Sequence, residues 1–254
     1  PEDGVLPRNI NGVDPNFKMP QVWKTSLALD YQVPVSFPLS VSVEGIFTQN
    51  LNGVMLKNYN IKRLTSSWET FSGSDNRYIY PSAANVEFNT TDAYVLSNTN
   101  QGWGAISNVT VNAEPIKDLK LMAAFTYTDS REISGMPGSN AQSAYTGLFG
   151  VNGPHLPELQ LSQYVVPTKV IGSVSYKIPW GSGKLQSASI FNLFYSGFSP
   201  FGTSFHYSND MNGDGIATDL IYIPSAKGDI QFVTSADEDA FFNFLEQDKY
   251  LKAN

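Results

Sequence analysis

The chain has 254 residues, a net charge of −7 and no cysteine; 41% of its residues are hydrophobic, 13% aromatic and 15% charged. Nucleic acid is not expected as a partner, because its binding needs a concentrated basic face and the 16 lysines and arginines are scattered. The absence of cysteine excludes a disulfide framework and thiolate metal sites. The low charged fraction is typical of a chain with a lipid-facing surface.

Six segments alternate between apolar and polar side chains with the period of two that a β-strand requires. The predicted strands cover residues 23–31, 39–48, 103–113, 119–128, 170–178 and 185–196. In the first two strands, one face is apolar and carries Trp23, Leu27, Leu29, Val41, Val43 and Phe47, whereas the other face carries Lys24, Asp30, Ser42 and Glu44. The sixth strand is the least regular, because Ile190 and Phe194 lie opposite the apolar face of Phe191 and Leu193.

The connections between these strands are sorted by length. Short connections, at 32–38, 114–118 and 180–183, join the strands in pairs at one end, and long polar segments, at 49–101, 130–164 and 197–254, lie at the other end. Outer-membrane β-barrels have this asymmetry, with short periplasmic turns and long extracellular loops. Aromatic residues near the strand ends suit the interfacial girdles of such barrels, among them Trp23, Tyr31, Phe47, Trp103, Tyr127, Tyr176, Trp180 and Tyr195.

We therefore predict an all-β fold, in which residues 1–254 form antiparallel up-and-down strands of an outer-membrane β-barrel with long extracellular loops. Six strands are fewer than the eight of the smallest single-chain barrels, so the chain is expected to be a piece of a larger barrel. A soluble β-sandwich is the alternative, because the same alternation can pack one face of a sheet on a core.

The long segments contain further features. Residues 1–20 are predicted to be a loop, and segment 49–101, which contains Trp68, Tyr78 and Tyr80, is too long to be an idle connection. In the last segment, Ser235 and Glu238 form a predicted capping box before apolar residues at helical spacing, which predicts a short amphipathic helix over 236–251 that packs on the loops.

One segment has the pattern of a calcium-binding loop. Asp210, Asn212 and Asp214 stand at the first, third and fifth positions, followed by the glycine at the sixth, which is how such a loop curls oxygen ligands around a hard cation. The Ile216 carbonyl and Asp219 are further candidate ligands, although position twelve lacks the usual glutamate. The alternative is a glycine-rich turn in which Asp and Asn side chains cap their own backbone.

Enzymatic activity is not expected. The two histidines, His155 and His206, stand at no metal-ligand or triad spacing and are predicted to be solvated loop residues. Phosphate-binding, dinucleotide-binding, zinc-protease and nucleophile-elbow motifs are missing from the sequence.

Several segments carry a family resemblance: KMPQVWK at 18–24, DNRYIYP at 75–81, AFTYTDS at 124–130, PTKV at 167–170, and above all NGDG at 212–215 followed by DLIYIP at 219–224. In this order they resemble the C-terminal barrel region of TonB-dependent outer-membrane receptors of the Bacteroidetes type, which carry a carboxypeptidase-regulatory-like domain at the front. The resemblance covers nearly the whole chain. It implies a barrel of about twenty-two strands that is closed by a plug and energised by TonB.

The expected function is therefore part of a transporter in the outer membrane of a Gram-negative bacterium, which captures an unknown nutrient ligand with its loops and imports it through the barrel. The aromatic side chains Trp68, Tyr78 and Tyr80 are the candidate ligand-binding residues, and Ca²⁺ is the candidate cofactor. The implied partners are outer-membrane lipid, the rest of the barrel with its plug, and TonB through segments outside this sequence. Two alternatives stay open: a soluble secreted β-sandwich that binds glycans with the same aromatics, and a purely structural surface protein.

Overall fold

The computed structural model describes residues 9–62, 68–81, 92–249 and 251. In these ranges the chain forms a mixed, largely antiparallel set of nine strands, together with two helices. The elements are β1 Asn9–Val13, β2 Gln21–Gln32, β3 Leu39–Asn58, β4 Asp92–Thr99, β5 Trp103–Ile116, β6 Leu119–Glu132, α1 Ala141–Thr146, β7 Gln160–Leu161, β8 Thr168–Trp180, β9 Ser187–Phe198 and α2 Ser235–Gln247.

Six strands form an antiparallel sheet that we call the wall, in the order β2, β3, β5, β6, β8, β9. Of the long strand β3, only residues 39–49 are counted as part of the wall. The other five strands belong to it over their whole length. The three predicted strand pairs are neighbours in it. The described chain is mostly β and largely antiparallel, and it also contains two helices that the all-β prediction covers only in part. The sheet is open, with β2 and β9 at its edges.

The register of the wall keeps the predicted faces together. Residues directly opposite each other on neighbouring strands point to the same face. One such row is apolar along most of its length and consists of Tyr31, Val41, Val111, Ala123, Gly172 and Tyr195. A row on the other face consists of Ala28, Glu44, Asn108, Thr126, Lys169 and Phe198, and its four central members are polar.

The apolar face of the wall is not covered by any described part of the chain. Leu27 is 80% exposed, Leu193 is 70% exposed and Val43 is 44% exposed. None of the described hydrophobic residues that are buried lies in the wall. The wall is therefore a single layer with both faces accessible.

The core lies instead at the end of the wall where the long segments are. We call residues 50–62, 68–81, 92–102, 133–167 and 199–249 the loop layer. Its β3 residues 53–58 leave the wall and pair with β4, which also pairs in parallel with β1. Helix α1 packs on this extension, and Leu56, Tyr94, Ala144 and Tyr145 form the buried cluster.

Several elements differ from the sequence predictions. Strand β1 lies in the predicted loop 1–20, and β4 and α1 lie in the predicted loops 49–101 and 130–164. The sixth wall strand is confirmed but begins at Ser187, because residues Gly183–Leu185 form a turn of 3₁₀ helix.

The second helix is present, but its predicted cap was wrong by one residue. Helix α2 spans Ser235–Gln247, and its N-cap is Thr234 rather than Ser235. The hydroxyl of Thr234 accepts the Asp237 N–H, and the Asp237 carboxylate accepts the Thr234 N–H, each at 3.2 Å. Among the described residues, no helix is long and apolar enough to cross a membrane.

Candidate functional site

The acidic loop, which we define as residues 210–219, is folded around its own carboxylates. Asp210 Oδ1 accepts the N–H of Gly213 at 2.7 Å and that of Asp214 at 3.2 Å. Asp210 Oδ2 accepts the Gly215 N–H at 2.7 Å. These hydrogen bonds are those of the turn alternative, in which an aspartate caps the backbone that follows it.

Three further side chains of the acidic loop each accept a hydrogen bond through one oxygen atom. Asn212 Oδ1 accepts the Asp214 N–H at 2.9 Å, Asp214 Oδ1 accepts the Ile216 N–H at 2.8 Å, and Asp219 Oδ2 accepts the Met211 N–H at 2.8 Å. Asp214 Oδ2 and Asp219 Oδ1 are buried and accept no hydrogen bond from the described residues. A buried carboxylate oxygen without a partner carries a desolvation penalty, so these two atoms need an explanation.

Burial changes the titration of the acidic loop. Burial, together with the nearby carboxylates of Asp219 and Asp210, raises the pKa of Asp214 to about 7, against the opposing hydrogen bond from the Ile216 N–H. Burial also raises the pKa of Asp219, against the opposing effect of the Arg77 guanidinium. Two buried acids are therefore held close together at a cost that rises when both are ionised.

His155 is a buried residue, which corrects the prediction that it is solvated. Its side chain is 4% exposed, and its Nε2 lies 3.3 Å from the Asp214 carbonyl oxygen and 3.8 Å from Asp214 Oδ2. Burial lowers the pKa of His155, which favours a neutral imidazole. His206, in contrast, is exposed as predicted.

A series of aromatic contacts runs through the loop layer, from Trp68 to the buried cluster. Trp68 and Tyr80 meet edge to face at 4.9 Å between ring centroids, and Tyr80 lies 5.2 Å from His155. His155 then contacts Tyr145, which it also meets in a hydrogen bond, and Tyr145 contacts Tyr94 at 5.1 Å. Such contacts stabilise beyond the area that they bury. The loops are thus joined into one packed body.

A cavity of about 690 Å³ opens beside this chain of rings. We call it the aromatic cavity. Trp68 and Tyr80 line it together with Leu56, Lys57 and Lys62. Its volume falls within the range of about 300–1,000 Å³ that is usual for small-molecule sites.

Tyr78, the third predicted ligand-binding residue, lies elsewhere. It lines a neighbouring cavity of about 400 Å³, and its N–H donates to Asn152 Oδ1 at 3.2 Å. His155 lines both cavities. The fold therefore brings Trp68 and Tyr80 to one cavity and Tyr78 to the next.

Arg77 is a part of this region that the sequence did not single out. It is 4% exposed, its Nε donates to Asp75 Oδ1 at 2.9 Å, and its guanidinium lies over the ring of Tyr207 at 5.9 Å. An arginine in a long polar segment is ordinarily solvated, so the sequence carried no signal for its burial. Its contact with Tyr207 joins segment 68–81 to the residues that precede the acidic loop.

The described residues contain no group of three or more His, Asp or Glu side chains arranged to hold a metal ion. All five predicted calcium ligands nevertheless belong to one folded loop, and Asn212 and Asp219 are almost completely buried. Comparison of the chain with protein families, curated proteins and solved structures found no match.

Proposed function

We propose that the chain is part of an outer-membrane transporter, in which the wall stands in lipid and the loop layer captures a ligand for import driven by TonB. The observation that carries the proposal is the exposed apolar face of the wall. Exposing apolar surface to water costs about 25 cal/mol per Å², whereas a lipid environment removes that cost.

Comparison with a soluble β-sandwich also supports this proposal. A sandwich buries one face of each sheet against the other sheet, with a core between them. In the part of the chain that the structure describes, no second sheet covers the wall, and the buried hydrophobic side chains all lie outside it. A glycan-binding sandwich would need a core that these residues do not provide.

The polar face and the edges of the wall fit the same proposal. Glu44, Asn108 and Lys169 lie on one face, as the interior of a water-filled or plugged barrel allows. The edge strands β2 and β9 would pair with further strands of the barrel, because an exposed long edge invites association with other strands.

The test is the topology of the full-length protein in living cells. This chain has no cysteine. Any cysteine elsewhere in the full-length protein is first replaced by serine, so that a single introduced thiol reports its own side of the membrane. We expect a membrane-impermeant maleimide to label Glu246→Cys, on α2, in intact cells. Ser182→Cys, in the turn between β8 and β9, should react only after the outer membrane is permeabilised. Equal labelling of both positions in intact cells would contradict the proposal.

Calcium binding by the acidic loop is a second proposal, favoured by the two buried carboxylate oxygens without a hydrogen-bond partner, on Asp214 and Asp219. The side chains of Asp210, Asn212, Asp214 and Asp219 and the Ile216 carbonyl would hold the ion. It would stiffen the loop rather than perform chemistry. Without a bidentate glutamate, the dissociation constant is expected to be on the order of 10⁻⁴–10⁻³ M.

Calcium binding is tested by thermal unfolding of the purified protein with chelator and with 10 mM calcium. At that concentration, a ligand of this affinity stabilises the folded state by about 1–3 kcal/mol. We expect calcium to raise the midpoint for the wild type and for Glu246→Gln, an exposed control, but not for Asp219→Asn. An unchanged midpoint for the wild type would leave the turn interpretation standing.

A further inference from the structure

We infer that the aromatic cavity takes a small organic anion, in which a carboxylate is attached to a ring that can lie against Trp68. This inference rests on the proposed role of the loop layer in ligand capture, and it specifies the class of ligand. Three observations support it: the charge of the lining residues, the aromatic surface, and the placement of the nearby acids.

The charge of the lining is opposite to that of the chain. The chain carries 23 acidic against 16 basic residues, yet among the described residues the charged ones that line the cavity are Lys57 and Lys62. Both lysines are exposed, and neither takes part in an ion pair among the described residues. His155 adds no formal charge while it is neutral. The lining therefore attracts anions within a negatively charged protein.

The apolar part of the lining suits a ring. Trp68 is partly exposed, and the buried Tyr80 meets it edge to face, so the orientation of the indole is fixed from behind. Leu56 is buried and adds an aliphatic surface. An aromatic face that is already held in place gains contact area with a flat ligand without losing much conformational freedom.

The described acidic residues nearest to the aromatic cavity form hydrogen bonds with other parts of the chain or lie outside its lining. Asp92 accepts the Asn58 side-chain N–H at 2.8 Å, and Asp214 lies behind His155 with one oxygen on the Ile216 N–H. Glu69 follows Trp68 in the chain but is exposed and does not line the cavity. Within the ranges that the structure describes, a bound carboxylate would thus meet two lysines without a lining carboxylate beside them.

The test uses matched probes that differ in one charge. Cellobiouronic acid is compared with cellobiose, and benzoate with benzamide, by isothermal titration calorimetry of the full-length protein in detergent. We expect each acid to bind at least tenfold more tightly than its neutral partner at low salt. The preference should shrink as salt is added, because salt screens exposed charges. Equal affinity of acid and neutral partner in both pairs would overturn the inference.

Variants then assign the preference to the cavity. Lys57→Gln with Lys62→Gln should remove the preference for the acid, and Trp68→Ala should weaken both members of a pair. Lys117→Gln, in the turn between β5 and β6 at the opposite end of the wall, removes the same charge far from the cavity and should bind as the wild type does. An acid preference that survives the double lysine variant would assign it to another site and overturn the inference.

Failure of this inference is distinguishable from failure of the proposed function. If the topology labelling succeeds and the probes bind without regard to charge, the transporter proposal stands and the ligand class is wrong. If the acids bind as expected while Glu246→Cys and Ser182→Cys are labelled equally in intact cells, the cavity assignment stands and the membrane proposal is wrong.

Discussion

Two of the described acids, Asp214 and Asp219, are buried close to the aromatic cavity. Asp214 is 1% exposed, and one of its oxygens lies 3.8 Å from a neutral histidine rather than near a cation. Its neighbour Asp219 is also 1% exposed and lacks a partner on one oxygen among the described residues. We therefore expect the stability of the loop layer to depend on pH, and we propose that calcium affects it as well.

The first prediction concerns the pH dependence of stability in chelator. The pKa of Asp214 is about 7 in the folded state against 3.8 for an ordinary aspartate, so the folded state binds this proton more tightly than the unfolded state. The contribution of Asp214 to stability should be fully present below pH about 4, be lost between pH about 4 and 7, and stay absent above that. The full effect is at most about 4 kcal/mol.

Thermal unfolding across this pH range tests the prediction. Asp214→Asn should flatten the fall, whereas the exposed control Glu246→Gln should keep it. A wild-type midpoint that rises between pH 5 and 7, in the same buffer in which Asp214→Asn is flat, would refute the assigned role of Asp214.

The second prediction concerns two glycines of the acidic loop. Gly213 and Gly215 have φ of 80° and 86°, which costs a residue with a side chain about 1–2 kcal/mol. A Cβ on Gly213 would also lie 3.0 Å from the Tyr80 carbonyl oxygen, whereas one on Gly215 would meet open space. Gly213→Ala should therefore destabilise more than Gly215→Ala in urea unfolding. Equal effects would mean that the contact with Tyr80 does not hold the loop.

At this scale the sequence predicted the motif but not its surroundings. The spacing of Asp210, Asn212 and Asp214 is local, so it can be read directly. The contacts with Tyr80 and His155 join residues far apart in the chain, and burial of His155 depends on them. A single sequence contains no signal for such contacts, which is why His155 was predicted to be solvated.

At the scale of the elements, the wall strands were predictable because one property, the period of two, repeats over each strand. The elements that were missed are short or need a distant partner. Helix α1 has six residues, and its only local signal is the capping box of Asn140 and Ser143. Strands β1 and β4 pair in parallel across a long separation in the chain, and neither has strong alternation.

The third prediction tests which face of the wall meets lipid. Val43 lies on the apolar face, whereas Ser42 lies on the polar face and donates to Asp30 Oδ1. Val43→Arg should cost about 2–4 kcal/mol if the residue stands at mid-bilayer, because the guanidinium would enter hydrocarbon. Ser42→Arg should be tolerated, since it adds charge to a wet face beside an aspartate.

Folding of both variants into lipid vesicles, followed by urea titration, measures this difference. The two substitutions introduce the same side chain at adjacent positions of β3. The replaced Val and Ser differ in strand propensity by at most about 1 kcal/mol, which is less than the expected effect. Equal losses of stability, or a greater loss for Ser42→Arg, would contradict the assigned orientation of the wall.

At the scale of the whole molecule, burial is unevenly distributed. The loop layer contains the buried cluster, the linked aromatic rings and the cavities, whereas the wall exposes large hydrophobic side chains on one face. A soluble protein of this size would place its largest sheet against its core. This distribution is the reason for proposing lipid as the solvent of the apolar face.

The most direct test of the membrane proposal is the oligomeric state of the purified chain with and without detergent, measured by analytical ultracentrifugation. We expect the chain to aggregate in plain buffer and to sediment in detergent as a particle with a bound micelle. A chain that is folded and monomeric in plain buffer would contradict the proposal, because the apolar face of the wall would then be stable in water.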